Sequence, residues 1–269
     1  IFKEYSTYLT QNQKILVLNY LTDLLLHRED DIRKEASELI GLLISKYDEE
    51  YRKEVPKSAK VIEPKLTSEM LLDKIIRSIL YPDHKLIDFA IEWQYNLQNI
   101  VSSLFINCRP EHYEKYTRIL IKYYKNFKSM STTSQFYLCQ AINYIPLEYL
   151  NTDDLNIILK YIMYQLDSSS IEIRLTALDI INRTSNKLIE NSKFKKSIEK
   201  WIKSNIKVSE NAPENYLKYK IAVKIQMDEN IVKLLKDNYE KDKENISVIF
   251  LQNLKTATEW MNKKINIDI

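Results

Sequence analysis

The side chains able to do chemistry are few and scattered. The chain has three histidines, His27, His84 and His112, and two cysteines, Cys108 and Cys139. No histidine is followed by Asp, so the adjacent His-Asp pair of metal phosphohydrolases is missing, and no His-Glu-x-x-His zinc pattern occurs. His27 stands near Asp30 and Asp31, where a cation could be held, but a surface turn between two helices accounts for the same residues. His84 and His112 open helices and are expected outside. Two cysteines in a chain this long form no disulfide framework and read as small core residues, compatible with a cytoplasmic setting. P-loops, dinucleotide fingerprints and nucleophile elbows need several glycines, and Gly41 is the only one in 269 residues. The sequence therefore points to no catalytic residue, no cofactor and no metal.

What remains is charge arranged on helix faces. Lys193, Lys196, Lys200, Lys203 and Lys207 recur three or four residues apart, which places them on one face of a helix. Phe194, Ile198, Trp201 and Ile202 make the opposite, core-facing side. Lys115, Arg118, Lys122, Lys125 and Lys128 form a second stripe among Tyr113, Tyr116, Tyr123, Tyr124 and Phe127. Such stripes can follow a phosphate backbone or an acidic protein surface. A solvated face opposite a core stripe produces the same pattern. Global charge does not decide between these readings: 40 basic and 37 acidic residues leave a net charge of +3, and the pI is about 8.5, below the ~9 of dedicated nucleic-acid binders.

The elements that must carry these faces are helices. Average usage would give roughly nineteen glycines in such a length. A sheet protein needs them in its tight turns, whereas helices can end on Asn in the left-handed conformation. Asn126, Asn182, Asn205 and Asn238 are the expected stops. Leu16, Val17, Tyr20, Leu21 and Leu24 form the apolar stripe of a first helix. A second helix, capped by Asp30 or Asp31, turns Ile32, Ala36, Leu39, Ile40 and Leu43 inward. Between Val55 and Thr67 the pattern fails around Pro56 and Pro64, giving a loop. Helices are then predicted from Thr67 or Ser68 to Tyr81 and over 83–107. The next starts at Pro110, and others span 131–144, 152–166, about 170–181, 191–205, 213–227, 229–238 and 244–264. The total is about a dozen. No apolar run reaches the ~18 residues of a membrane span. The chain opens at Ile1 with helical spacing already at Phe2, Tyr5 and Leu9, and is read as one domain, 1–269, of a longer protein.

Two segments share a pattern. Asp30-Asp31-Ile32-Arg33-Lys34-Glu35-Ala36, followed by Leu39-Ile40, matches Ser170-Ile171-Glu172-Ile173-Arg174-Leu175-Thr176-Ala177, followed by Ile180-Ile181. The small Ala lets a paired helix approach closely, and the aliphatics share its face. The Arg can lay its stem along the interface and bond neighbouring turns. Weaker copies place Ala90 and Ala141 in the Ala slot, with Ile87 where the Arg would stand. The pattern resembles the second helix of a HEAT repeat, though the spacing of the four Ala is irregular against the 40–47 residues of such units. The resemblance implies an all-α superhelix of antiparallel helix pairs whose partners bind the concave face. It further implies a non-catalytic protein-interaction or scaffold domain of a larger intracellular protein, bound to a protein partner or to other domains of the same chain. The alternative is nucleic-acid binding through the lysine stripes. HEAT-like alkylpurine DNA glycosylases carry paired Trp beside a catalytic Asp; Trp93, Trp201 and Trp260 stand apart here, and only Glu92-Trp93 sets a carboxylate beside a Trp.

Overall fold

Helix follows helix through the computed structural model, which describes residues 8–48, 66–82, 90–184, 192–206 and 212–240. Among these residues there is no strand. The chain divides into two compact units, residues 1–161 and 162–269, and the division falls inside the helix Thr152–Gln165. None of the described helices is long and apolar enough to cross a membrane. The loop expected around 55–67 lies mostly outside the described residues, as does the helix expected over 244–264.

The first unit holds α1 (Gln11–Leu24), α2 (Asp30–Ser45), α3 (Ser68–Leu80), α4 (Ala90–Asn107), α5 (Tyr113–Asn126), α6 (Thr132–Ala141) and the start of α7 (Thr152–Gln165). Short 3-10 turns at Pro110–His112, Phe127–Ser129, Ile142–Tyr144 and Leu147–Tyr149 join the later ones. The helix expected over 131–144 therefore tightens after Ala141. Side-chain oxygens start the helices: Thr10 and Gln13 form a capping box, and Thr67 and Ser131 each accept the amide three residues on. The second helix departs from expectation. Its cap is Glu29, without a side-chain bond, and Asp30 and Asp31 lie in its first turn, where negative charge suits the helix dipole.

The largest contacts join alternate helices: α2 packs on α4 and α4 on α6, and α3 packs on α5. Sequential helices also meet: α1 closes against α2, and α3 touches both α2 and α4. The buried faces differ in part from the predicted stripes. α1 buries Lys14, Leu18 and Leu21, with Leu25 just after it, but exposes Leu16 and Tyr20 by 69% and 64%. In α2, Ala36, Ile40 and Leu43 are buried as expected, joined by Ser37, Gly41 and Ile44, whereas Ile32 is exposed. α2 is covered from more than one side, so one stripe does not describe its burial. In the second unit α8 (Ile171–Arg183) packs on α10 (Ala212–Lys224), α9 (Ser192–Ser204) touches α10, and residues 229–240 form a further helix.

The single glycine serves contact, not turning. A Cβ on Gly41 would stand 2.5 Å from the Ile100 carbonyl oxygen, 2.8 Å from the Leu104 nitrogen and 2.8 Å from Ser103 Cβ. Two of these are backbone atoms of α4, so α2 and α4 would have to separate. In an open helix Gly→Ala stabilises by about 1 kcal/mol. Overpacking opposes that gain by typically 1–3 kcal/mol, and more where backbone must move. Gly41→Ala is therefore expected to lower the urea midpoint at unchanged m-value. A raised midpoint would refute the close approach.

Candidate interaction surface

The two matching segments do the same work in space. Arg33 Nη1 donates to the carbonyls of His27 at 2.5 Å and Arg28 at 3.1 Å. Arg174 Nη1 donates to Ser168 at 2.7 Å and Ser169 at 3.2 Å. In each case these are the carbonyls six and five residues upstream, in the turn that leads into the helix. Nη1 thus ties the helix to the turn before it and leaves Nη2 for a carboxylate. Arg33 also pairs with Asp30, and Arg174 reaches Glu214 on α10 at 3.3 Å. Ala36 and Ala177 are buried, as is Ala141. The weaker copy at 83–89 lies outside the described residues.

A chain with one glycine must satisfy its helix-end carbonyls by other means. Asn126 has φ −109°, not the left-handed value expected. Asn107, Asn126 and Asn205 instead donate Nδ2 to the carbonyl four residues back. Among the described residues Gln226 takes the positive φ, 56°. Neighbouring helices supply the rest. Buried Lys14 Nζ donates to the Lys46 carbonyl at 2.5 Å, Asn96 Nδ2 to Leu25 at 3.1 Å, the Tyr116 hydroxyl to Ile44 at 3.0 Å, and Ser134 to Leu80 at 2.8 Å. In the second unit Lys224 bonds the Asn182 and Thr184 carbonyls at the end of α8, both at 2.5 Å. Burial pushes its amine below the ordinary value. Lys218, also buried, pairs with Glu214 at 2.9 Å, bonds the Asn205 carbonyl and lies over the Trp201 ring.

The stripes fare differently. On α9, Lys193, Lys196, Lys200 and Lys203 are all exposed, opposite buried Phe194, Ile198, Trp201 and Ile202. Lys207 lies outside the described residues. The second stripe breaks up. Lys115 turns inward: its Nζ meets Asp48 Oδ2 at 2.6 Å and Ser68 Oγ at 2.9 Å, and it lies over the Tyr116 ring. Arg118 is exposed and held by Glu114 one turn back, while Lys122 reaches Asp73 at 3.7 Å. Lys125 is exposed, and so is Lys128 in the 3-10 turn after α5. Three of the tyrosines among them are core: Tyr116, Tyr123 and Tyr124 are buried, and Tyr124 meets Tyr161 edge-on at 5.0 Å, whereas Tyr113 is half-buried.

Arg118, Lys122 and Lys125 line a cleft of about 550 Å³ whose far wall is Asn151–Asp154 with Ile157 on α7. Lys122 also borders a cleft of about 390 Å³ on the other side of α5, together with Asp73, Arg77 and Tyr81. Sequence reading missed the α7 wall; the Asn151-x-x-Asp154 cap was its available signal, since Asn151 Oδ1 accepts the Asp154 amide at 2.9 Å.

Several of the histidine, cysteine and tryptophan side chains have structural roles, while His112 Nδ1 is buried without a hydrogen-bond partner. His27 Nδ1 accepts the Glu29 amide at 3.1 Å. Burial pushes the Cys108 thiol up to about 11 and raises that of Cys139 further, so neither is a thiolate at neutral pH. Trp93 is buried and donates to the Ser78 carbonyl at 2.9 Å, and Trp201 donates to Asp167 at 2.8 Å. Trp260 and His84 lie outside the described residues.

No protein-family profile and no curated protein matches the chain. Among solved structures it is similar to a crystal structure of an engineered protein from the Northeast Structural Genomics Consortium. The two are 13% identical over 86% of this chain and 89% of that one, with a TM-score of 0.43.

The Lys115 contact makes stability depend on pH. Burial alone would raise the Asp48 carboxyl, but the Lys115 and Ser68 hydrogen bonds and the Lys115 charge outweigh it and hold it below its ordinary value. Burial likewise opposes the charged Lys115 amine, and the Asp48 bond with the nearby Tyr116, Asp48 and Glu69 groups raises it above the ordinary value. A lowered carboxyl stabilises above its unfolded pKa of ~3.9, and a raised amine stabilises below its unfolded ~10.4. The pair is thus at full strength from about pH 5 to about pH 9. Both side chains are partly solvated, 43% and 25% exposed, so the contribution is about 1 kcal/mol or less. Lys115→Met should lower the melting temperature most in that window, and the difference from wild type should shrink below about pH 4. A difference independent of pH would mean that packing, not the ion pair, matters.

Proposed function

We propose that this chain is a non-catalytic interaction domain, built from HEAT-like helix pairs and working as a scaffold or regulator inside a larger intracellular protein. One observation carries the reading: Arg33 and Arg174 bond the carbonyls five and six residues upstream in the same way, next to equally buried Ala36 and Ala177. Two segments far apart in sequence that fold to one local arrangement are what a degenerate repeat produces. The helix-after-next packing is that of stacked pairs and suits a superhelix. Stacked helices offer broad surfaces to macromolecules more readily than enclosed pockets to small substrates. The test is binding without turnover. The isolated chain should engage a protein partner saturably, and triple charge reversal on one helix face should weaken that binding while the helical circular-dichroism signal stays unchanged. Excision of an alkylated purine from DNA, or any other robust turnover, would sink the reading.

A second reading, nucleic-acid binding, draws on the exposed cationic face of α9. Among the described residues Lys196, Lys200 and Lys203 pair with no carboxylate. If phosphates are the ligand, affinity falls with salt at a log–log slope of about −0.7 per phosphate for single strands. Lys196→Glu, Lys200→Glu and Lys203→Glu together would then abolish the electrophoretic shift whatever the base sequence. No retardation of DNA or RNA at low salt and micromolar protein removes this reading.

A further inference from the structure

We infer that the cleft between α5 and the start of α7 docks a peptide segment of mixed charge: an apolar anchor with acidic residues on one side and basic residues on the other. The inference rests on the reading of the chain as a protein-binding domain and names the partner's chemistry.

The cleft has three parts. One wall, from α5, is cationic: Arg118, Lys122 and Lys125 follow one another at helical spacing. The opposite wall, the first turn of α7, is anionic, with Asp153 and Asp154. Half-buried Ile157, with the small part of Ile121 that reaches the surface, gives the space between them an apolar floor. Each wall is held by bonds on its own side. Glu114 anchors Arg118 from the preceding turn of α5, and Asp73 on α3 draws Lys122 the other way at 3.7 Å. Across the cleft, Asn151 Nδ2 donates to Asp154 Oδ2 at 2.8 Å, and Asn151 Oδ1 takes the Asp154 amide at 2.9 Å. Arg118 and Asp154 are thereby held in place on either wall before any partner arrives.

This arrangement selects among ligands by sign. A nucleic-acid strand would meet the α5 wall favourably and Asp153 and Asp154 unfavourably, with no cation of its own to offer them. A purely acidic peptide has the same defect. A segment whose carboxylates face α5 and whose amines or guanidinia face α7 satisfies both walls, and its apolar side chain meets Ile121 and Ile157. The space, about 550 Å³, suits a few side chains of such a segment. Opposite potentials across an interface fix register and reject wrong partners more than they add affinity, so the preference is expected to be sharp even where binding is weak.

The experiment uses the whole chain and three probes at low salt: a synthetic helical peptide with a Glu face and a Lys face flanking one Leu, an all-Glu peptide of the same length, and oligo(dT). The mixed peptide should bind tightest. Lys125→Glu and Asp153→Lys should each weaken it by about threefold, and more when combined, as the modest strength of exposed charge pairs allows. Both positions are exposed, so both variants should fold. The opposite response of oligo(dT) is the discriminating signal: Asp153→Lys should tighten it. Oligo(dT) that binds wild type tighter than the mixed peptide and is weakened by Lys125→Glu overturns the inference in favour of a phosphate ligand in the cleft. Mixed-peptide binding that ignores both reversals overturns the cleft as its site but leaves the protein-binding reading standing. Failure of all three probes to bind at millimolar concentration overturns the inference as well.

Discussion

Every helix ends in carbonyls that the helix itself cannot bond, and a chain with one glycine has given up the usual way of ending them. The structure answers with side chains from elsewhere. Lys14 and Tyr116 serve the end of α2, Asn96 the end of α1, Ser134 the end of α3, and Lys224 the end of α8. Arg33 and Arg174 do the same for the turns that precede their helices. The ends of α1, α2, α3 and α8 receive these bonds only once a neighbouring helix is in place, so secondary and tertiary structure are coupled at those junctions. Several of these donors are cations at the negative end of a helix dipole, which offsets part of the cost of burying them. The lowered Lys224 amine shows that the cost is not wholly removed.

That coupling also explains the packing of α4 against α2. Asn96 on α4 holds the end of α1 with one group and takes the Ser37 hydroxyl of α2 with the other. Ser103 on α4 donates to the Glu38 carbonyl of α2 at 2.5 Å, close to the point where Gly41 lets the two backbones meet. Polar bonds thus fix the register of helices whose apolar faces alone would allow sliding. Burying a Leu or Ile contributes about 1.5–3 kcal/mol in any of several registers, whereas a missed carbonyl costs about 1–3 kcal/mol in all but one.

Charge is divided by the same logic. Basic side chains that look alike in sequence end in different roles according to what stands beside them. Lys115 is drawn in by Asp48 and Ser68 and becomes part of the frame. Arg118, Lys122 and Lys125 stay at the surface because one face of α5 is solvent-bound, and there they meet the acidic start of α7. The stripe on α9 has a fully apolar reverse side and remains intact through Lys203.

The sequence by itself determined that the protein is helical. Its periodicity and its near lack of glycine leave no other element class, and Thr67, Ser131 and Ser170 mark their helix starts locally. It also determined the Arg-Ala pairs, because their function is set within a few residues of one another. Tertiary structure alone decided which face of each helix is buried: Leu16 and Tyr20 carry the period of a core stripe yet face solvent, since a residue's neighbours across an interface are not written in its own segment. It alone brought Gly41 against the backbone of α4. It alone set Asp153 and Asp154 opposite Arg118 and Lys125, residues that no spacing rule connects, because their proximity follows from how α5 and α7 pack and not from either helix.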